Sequence, residues 1–386
     1  YFKKYKIVRK NQFTYVPDTS RRGDKMGLAM LEHLDKAIVS QAYTVFEIID
    51  HEKLLPEYLM MWFRRPEFDR YARYMSHGSV REIFGWDEMC DIELPVPSPD
   101  KQREIVKEYN VIVNRIKLNE QLNQKLEETA QAIYKQWFVD FEFPISAEYA
   151  ASIGKPELEG KPYKSSGGEM VYCDELEKDI PKGWKNTTLG EFLANKGYIR
   201  GPFGSALKKE DMRMSGVPVY EQQHAIYDHR NFRYYIEEKK HLKLKRFTIQ
   251  NDDIVISCSG TLGKITLIKE SDPIGIINQA LLILRSDTNK IPPLYLKYFL
   301  TSPTGNKSLV SKSGGSAQVN IAKREEIESI VILLPLNAIL DLFNNMFTKL
   351  VASIEDARAE NALLTGLRNI VLSKMARAEY IKEIAA

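Results

Sequence analysis

Gly260-Thr261-Leu262-Gly263-Lys264 has the glycines and the lysine of a loop that cradles phosphates, a chemistry that would make the chain a nucleotide-binding enzyme. The complete pattern also needs a glycine five positions before Gly263 and a hydroxyl side chain after the lysine. Cys258 and Ile265 stand there instead. The stretch therefore reads as a tight glycine turn that projects one lysine, and Gly23-Asp24-Lys25 echoes it. The six histidines, His33, His51, His77, His224, His229 and His241, form no His-Glu-x-x-His pair or other close ligand set, and His224 and His229 read as surface residues of a polar stretch. Cys90, Cys173 and Cys258 are odd in number and far apart, which points to reduced thiols rather than a disulfide framework or a zinc site. A nucleophile elbow is missing, as are a glycine-rich cofactor loop behind a strand and the Asn/Asp-Pro-Pro-Tyr/Phe motif of an aminomethyltransferase. These residues describe a chain without a catalytic centre, metal or cofactor of its own.

Binding chemistry is easier to find. Arg200-Gly201-Pro202-Phe203-Gly204-Ser205-Ala206-Leu207-Lys208-Lys209 joins a glycine loop to three cations and a serine, and Arg200, Ser205, Lys208 and Lys209 suit phosphates and base edges. Gln222, Gln223 and His224 supply side chains whose amides match the two-point pattern of adenine. Lys264 projects from its turn. The small, basic stretch 311–318 contributes Lys312, Ser313, Ser316 and Gln318, and 76–81 contributes His77, Ser79 and Arg81 at the corresponding place. Ser20, Arg21, Arg22 and Lys25 form a further cluster able to touch phosphate or guanine. For each stretch a solvated polar loop is the competing reading.

Total charge does not decide between them: 55 basic and 52 acidic residues give a net +3. A hydrophobic fraction of 44% and a charged fraction of 28% fit a globular chain, and 386 residues allow two to three domains. No apolar run is long enough to span a bilayer, and the first residues lack the apolar core of a signal peptide.

The elements that position these loops occur twice. Lys25 and Lys264 are 239 residues apart, Gln41-Ala42 and Gln279-Ala280 238, Tyr58 and Tyr295 237, Met89 and Ile327 238, and Pro95 and Pro335 240. One register over so many landmarks implies a duplicated domain with its helix, too long for a solenoid repeat. Domain boundaries are expected at 1–99 for a first β-rich domain, 100–144 for a long helix, 145–179 for a linker with local turns, 180–336 for a second β-rich domain and 337–386 for a second long helix. Within them, a helix is expected from Pro56 to Tyr71 and strands at 39–49, 252–257 and 276–284. The second domain opens near Ile180, so the first is expected to lack about 60 residues at its start by the offset of the repeat.

Apolar residues step by three and four along both long helices. The first seam runs through Ile105, Tyr109, Ile112, Ile116, Leu122, Leu126, Ala130, Ile133 and Trp137, with Phe138 beside it. The second runs through Leu340, Phe343, Phe347, Leu350, Ile354, Ala357, Asn361, Leu364, Arg368, Val371 and Met375, a coiled-coil pattern. At about 1.5 Å per residue each helix is about 55 Å long, and the simplest way to bury both seams is to pair them with each other. Asn119 and Asn361 interrupt the seams, either fixing register or merely tolerated.

Ile133-Tyr134-Lys135-Gln136-Trp137-Phe138-Val139-Asp140-Phe141-Glu142-Phe143-Pro144 resembles the signature that closes the central conserved helix of the DNA-specificity subunits of type I restriction-modification enzymes. Leu189-Gly190-Glu191, Gly201-Pro202-Phe203-Gly204-Ser205, Asp252-Asp253-Ile254, the 260–264 turn and Gln318-Val319-Asn320-Ile321 are also similar to that family. The resemblance covers the whole chain. It implies an α+β fold in which two β-rich target-recognition domains are separated by two long helices that pair as an antiparallel coiled coil, with a pseudo-two-fold repeat. It also implies that each domain reads half of a bipartite site in double-stranded DNA, in the prokaryotic cytoplasm. Adenine methylation would belong to modification subunits, usually two, that bind along the helices and use S-adenosylmethionine. ATP and Mg²⁺ would serve restriction subunits. On residues alone, a coiled-coil scaffold whose globular ends bind proteins is the alternative, while the missing catalytic motifs argue against a self-sufficient methyltransferase or nuclease.

Overall fold

The computed structural model describes residues 4–19, 25–77, 82–312 and 319–375, without the side chains of 311, 312, 319 and 320. The chain divides into two compact units, residues 1–124 with 354–386, and residues 125–353. The division runs through both long helices rather than at their ends.

The first unit begins with five short strands, β1 (Lys6–Arg9), β2 (Phe13–Val16), β3 (Gly27–Met30), β4 (Lys36–Val39) and β5 (Thr44–Phe46). β2 lies between β3 and β5, and β1 pairs with β4, all antiparallel. The single strand expected over 39–49 is thus two, because β4 and β5 serve different sheets and the chain turns between them, with the Tyr43 amide donating to the Ser40 carbonyl at 3.1 Å. The expected helix from Pro56 is also two, α1 (Pro56–Phe63) and α2 (Pro66–Tyr74). Pro66 forces Arg65 out of the helical region to φ −78°, ψ 137°. Phe13, Tyr15, Phe63, Phe68 and Phe84 fill the core beneath the sheet, and α3 (Trp86–Cys90) closes it with Met89.

Ser98 and Pro99 then start α4 (Pro99–Phe138); the hydroxyl of Ser98 accepts from the Lys101 amide and proline occupies the first helical position, where its missing N–H costs nothing. α4 ends where the Asp140 and Glu142 amides donate to the Lys135 and Gln136 carbonyls and Phe141 takes a left-handed φ of 63°. That reversal turns Phe141 and Phe143 onto Trp184, with ring centroids 5.5 and 5.2 Å away. The motif that closes the helix is therefore the start of the second unit's core.

Residues 145–179 differ from the linker expected there. They form α5 (Ala147–Ser152) and the hairpin of β6 (Met170–Cys173) with β7 (Lys178–Pro181), and Ile145, Ala150, Tyr163 and Cys173 are buried in the same core as Trp184. The glycines and prolines punctuate folded structure, and the stacked pair Phe143 and Tyr163, 4.5 Å apart, holds it down.

The second unit continues with β8 (Lys185–Thr188), α6 (Leu189–Phe192), β9 (Leu193–Arg200), β10 (Val217–Tyr220), α7 (Gln222–Tyr227), β11 (Tyr235–Ile236), α8 (Glu238–Lys243), β12 (Ile254–Ser257), β13 (Ile265–Leu267), β14 (Ile276–Ile277) and β15 (Leu281–Ser286). β13, β12, β15 and β9 form one antiparallel sheet in that order, and β10 lies between β11 and a parallel β14. The apolar run expected as one strand over 276–284 is split at Asn278, whose side chain accepts from the Ala280 amide, so β14 and β15 join different sheets. Then follow α9 (Pro293–Thr301), α10 (Pro303–Leu309), the pair β16 (Val310–Lys312) and β17 (Val319–Ile321), α11 (Arg324–Glu328), β18 (Val331–Leu334), which pairs with β8, and α12 (Asn337–Lys374).

The repeat survives as element order: α1, α2, α3 and α4 correspond to α9, α10, α11 and α12. Even a hydrogen bond recurs. The buried hydroxyls of Tyr58 and Tyr295 donate to the carbonyls of Pro95 and Leu333, at 3.1 and 2.7 Å, tying α1 and α9 to the segments that lead into the long helices.

In each unit the two long helices run antiparallel. In the first, Ile105, Ile112 and Ile116 pack with Leu364, Val371, Leu372 and Met375. In the second, Ala130, Ile133, Tyr134, Trp137 and Phe138 meet Leu340, Phe343, Phe347 and Leu350. Leu126 is half-buried and Ile354 buried. Leu122, expected in the seam, is exposed, because Asn119 and Asn123 take the inward positions on either side of it. Asn119 donates to Asn361 Oδ1 at 2.9 Å and to Glu360 at 2.7 Å, while Arg115 grips Glu360 through two hydrogen bonds. Those bonds hold the Glu360 carboxyl below its ordinary pKa, and the two asparagines answer each other across the seam.

Tyr295→Phe should lower the stability of the chain by about 1 kcal/mol in urea unfolding, through loss of a buried hydrogen bond. An unchanged midpoint would contradict the tie described between α9 and the entry to α12.

Candidate nucleic-acid interface

Three connections leave the four-stranded sheet at one edge. Arg200, Leu282, Ile256 and Ile265 form a cross-strand row, and beyond it lie the loops 201–207, 278–280 and 258–264. The Gly201 amide donates to the Leu281 carbonyl at 3.0 Å and the Cys258 amide to the Ala280 carbonyl at 2.7 Å. A Cβ on Gly201 would collide with the Asn278 carbonyl oxygen, so only glycine lets these loops close on each other. Cys258 is buried there, and burial pushes its thiol up to about 12, which makes it inert rather than a nucleophile.

The 258–264 loop is a cross-braced turn. Ser257 Oγ donates to the Thr261 carbonyl at 2.5 Å and accepts from the Lys264 amide at 3.0 Å, and Asn306 reaches in from α10 to the Gly263 carbonyl at 2.7 Å. Lys264 is exposed beside it. Gln222, in the first turn of α7, lies over this loop: Ser259 Oγ donates to its Oε1 at 2.8 Å, and a Cβ at Gly260 would come within 2.8 Å of its Nε2. The amide is thus held in one orientation with hydrogen-bonding capacity to spare. Gln223 is turned to the Glu221 carboxylate at 3.2 Å.

His224 is a correction on two counts, being neither a surface residue nor available to a base. It is fully buried, with Nδ1 accepting from the Glu221 amide at 2.8 Å and Nε2 donating to the Asn231 carbonyl at 3.1 Å. This arrangement defines a neutral ring, and burial lowers its pKa below 6.5. Its role is to clamp the 221–231 segment. Asp228, in a left-handed conformation at φ 49°, is held by Thr266 and Arg230, and Arg230 is in turn fixed on Asp272 at 2.8 Å. Either side of this braced residue stand Tyr227, 72% exposed, and His229, their rings almost parallel. No periodic signal in the sequence marks this pair.

Arg200 is half-buried, with its guanidinium 5.9 Å from the centre of the exposed Phe203 ring, and Ser205 is exposed in the loop that follows. Lys208 and Lys209 are exposed on a different part of the unit. Leu207 packs with Leu244, and Asp211 accepts from the Lys208 amide and pairs with Lys240 at 2.9 Å, which joins this segment to α8. α8 and the turn after it add exposed Lys239, Lys243, Lys245 and Arg246. None of these six exposed cations enters an ion pair among the described residues. The dense run 239–246 is visible in the sequence, and at the repeat offset of 239 its Lys243 and Lys245 fall on Lys4 and Lys6.

In the first unit, Lys25 is exposed just before β3, and His77 is exposed in a two-residue bridge to Ile83. Ser20, Arg21, Arg22, Ser79, Arg81, Ser313, Ser316 and Gln318 lie outside the described residues, as does the side chain of Lys312. Among the described residues no three His, Cys, Asp or Glu side chains gather as a metal site requires.

No protein-family model matches the chain. It is 30% identical over 155 residues to the type I restriction enzyme MjaIX specificity subunit of Methanocaldococcus jannaschii, a match covering 40% of this chain and 31% of that protein. It is 25% identical to the type I restriction enzyme HindI specificity subunit of Haemophilus influenzae, over 97% of this chain and 87% of the relative. Among solved structures, the S subunit of a type I restriction-modification system from M. genitalium superposes with a TM-score of 0.52 at 14% identity, over 96% of this chain and 83% of that one, a likeness of fold. The chain is thus similar in sequence to two type I specificity subunits and in fold to a solved S subunit.

Because His224 is neutral when folded and titrates near 6.5 when unfolded, its contribution to stability is complete above about pH 6.5 and is lost as pH falls below that value. His224→Gln keeps an acceptor and a donor but no titrating group. Wild type should lose stability relative to this variant on acidification in thermal unfolding; parallel pH profiles would show that the ring is not a buried neutral clamp.

Proposed function

We propose that this chain, related over nearly its whole length to type I specificity subunits, reads a two-part sequence in double-stranded DNA and catalyses no reaction itself. The observation that carries the reading is the loop edge of the second unit. A preoriented amide at Gln222 and the cations Lys264 and Arg200 stand at or beside loops braced by side-chain hydrogen bonds. Such groups match base edges and phosphates. Lys208, Lys209, Lys239, Lys243, Lys245 and Arg246 supply unpaired charge for the backbone, whose contacts position a protein without specifying sequence. Each unit would read one half of the site.

Chemistry would come from partners: modification subunits with S-adenosylmethionine methylate adenine, and restriction subunits use ATP and Mg²⁺. Within the first unit, α4 leaves Val111, Leu118 and Leu122 exposed at helical spacing, and α12 leaves Leu363, Leu367 and Ile370. These apolar stripes suit the docking of modification subunits along the helices.

Exchange of residues 180–336 for the corresponding domain of another specificity subunit should change one half of the recognised sequence and leave the other intact. A change in both halves would refute independent readers. Within the wild-type frame, Gln222→Ala should relax a single base position, whereas Lys243→Ala with Lys245→Ala should weaken binding to all duplexes and flatten its salt dependence by about 0.9 for each phosphate no longer neutralised. If the lysine pair instead relaxed one base position, the division of labour assigned here would be wrong.

A further inference from the structure

The first unit contains a cleft of about 910 Å³ that base reading by the loops leaves unused. Its lining carries Lys25, Arg64, Arg70, Arg73 and Arg368 against one carboxylate, Asp69. Asp69 is committed elsewhere, accepting from the Met26 amide at 2.8 Å and so fixing the backbone next to Lys25. Arg64 is held in place by Glu32 at 3.0 Å and lies over the Tyr109 ring, 5.9 Å from its centre. Arg70 pairs with Glu67 at 3.3 Å on the exposed face of α2. Glu67 also meets Arg65 at 3.6 Å, so the cations of this face outnumber the carboxylates that pair with them. Lys25 and Arg368 enter no ion pair among the described residues, so the surplus is available at two defined points.

Positive charge concentrated in a recess with protein walls raises the local potential and attracts anions more strongly than the same charges on a flat surface. The three arginines of α1 to α2 and Arg368 of α12 present forked donors of the geometry that phosphate oxygens accept. The aromatic ring in the lining, Tyr109, is covered by Arg64, so the cleft offers charge and no open ring on which a base could stack. Arg368 also explains an anomaly of the α12 seam, where the three-four spacing puts an arginine among apolar residues. It is half-buried, with Leu372 one turn further along the same lining.

We propose that this cleft holds backbone phosphates of the bound duplex, anchoring the DNA against the helices apart from the loops that read bases. The proposal rests on the DNA-reading function above and adds to it a site on α2 and α12. It predicts a contact insensitive to sequence.

The test uses the full chain assembled with its modification subunits, random-sequence duplexes and the sequences selected from them. Lys25→Ala combined with Arg368→Ala should weaken binding to selected and random duplexes by the same factor. It should also reduce the slope of log affinity against log salt by about 1.8, about 0.9 for each phosphate released. Lys25→Arg combined with Arg368→Lys should keep the wild-type slope, which separates charge from folding. An unchanged slope in the double alanine variant, with wild type still selecting a sequence, overturns the cleft while leaving the reading of DNA intact. Loss of subunit assembly with DNA affinity unaltered would assign the cleft to an acidic protein surface and overturn it as well. Failure of the wild-type assembly to prefer any sequence would remove the premise itself.

Discussion

The structure depends on one constraint: the long helices bury their seams in the same cores that hold the globular domains. Phe343 shows it in the second unit. The rings of Tyr134, Trp137 and Phe138 from α4, Tyr295 from α9 and Phe347 from its own helix all surround it. In the first unit Tyr58 and Met61 of α1 share a core with Tyr109 and Ile112 of α4, with Val371 and Leu372 of α12 and with Met375 just after it. Burying each large ring contributes several kcal/mol at about 25 cal/mol per Å². Neither helix segment can shift against its domain without disrupting that packing. The polar group of Arg115, Asn119, Glu360 and Asn361 adds direction to the pairing, since it is satisfied in one register.

Such rigidity suits the proposed reading of sequence, because base pairs are distinguished by the placement of donors and acceptors on their edges. The second unit carries the same principle outward to its loops. Ser257, Asn306 and Ser259 brace the turn and the amide beside it, and His224 with the Arg230–Asp272 pair braces the next segment. Asp253, buried and gripped by Arg285 through two hydrogen bonds, secures the approach to β12. The buried polar groups are spent on scaffolding, and exposed ones such as Lys264 and Tyr227 are left at the tips.

Much of this is legible in the sequence where a period or a repeat reports it. The helix seams are set by spacing alone, and their observed bounds, Pro99–Phe138 and Asn337–Lys374, follow the proline and polar boundaries. Leu122 departs from its seam because a period cannot say which of two adjacent candidates turns inward. The linker reading of 145–179 fails because Gly and Pro signals outweigh a few scattered aromatics whose partners, Phe143 and Trp184, are distant in sequence. The split of 276–284 depends on β10, which no local pattern reveals. Among the candidate contact loops, residue type alone points to the 260–264 turn and Gln222. The burial of His224 and the surface formed with α8 arise only from packing.

In the proposed function, this chain confers sequence choice on an assembly that otherwise lacks it. The most direct measurement is selection from random duplexes by the chain assembled with its modification subunits, compared with those subunits alone. Enrichment of one motif with two specified parts and an unspecified spacer, only when this chain is present, is the expected result. Enrichment of the same motif without the chain, or none with it, would refute that role.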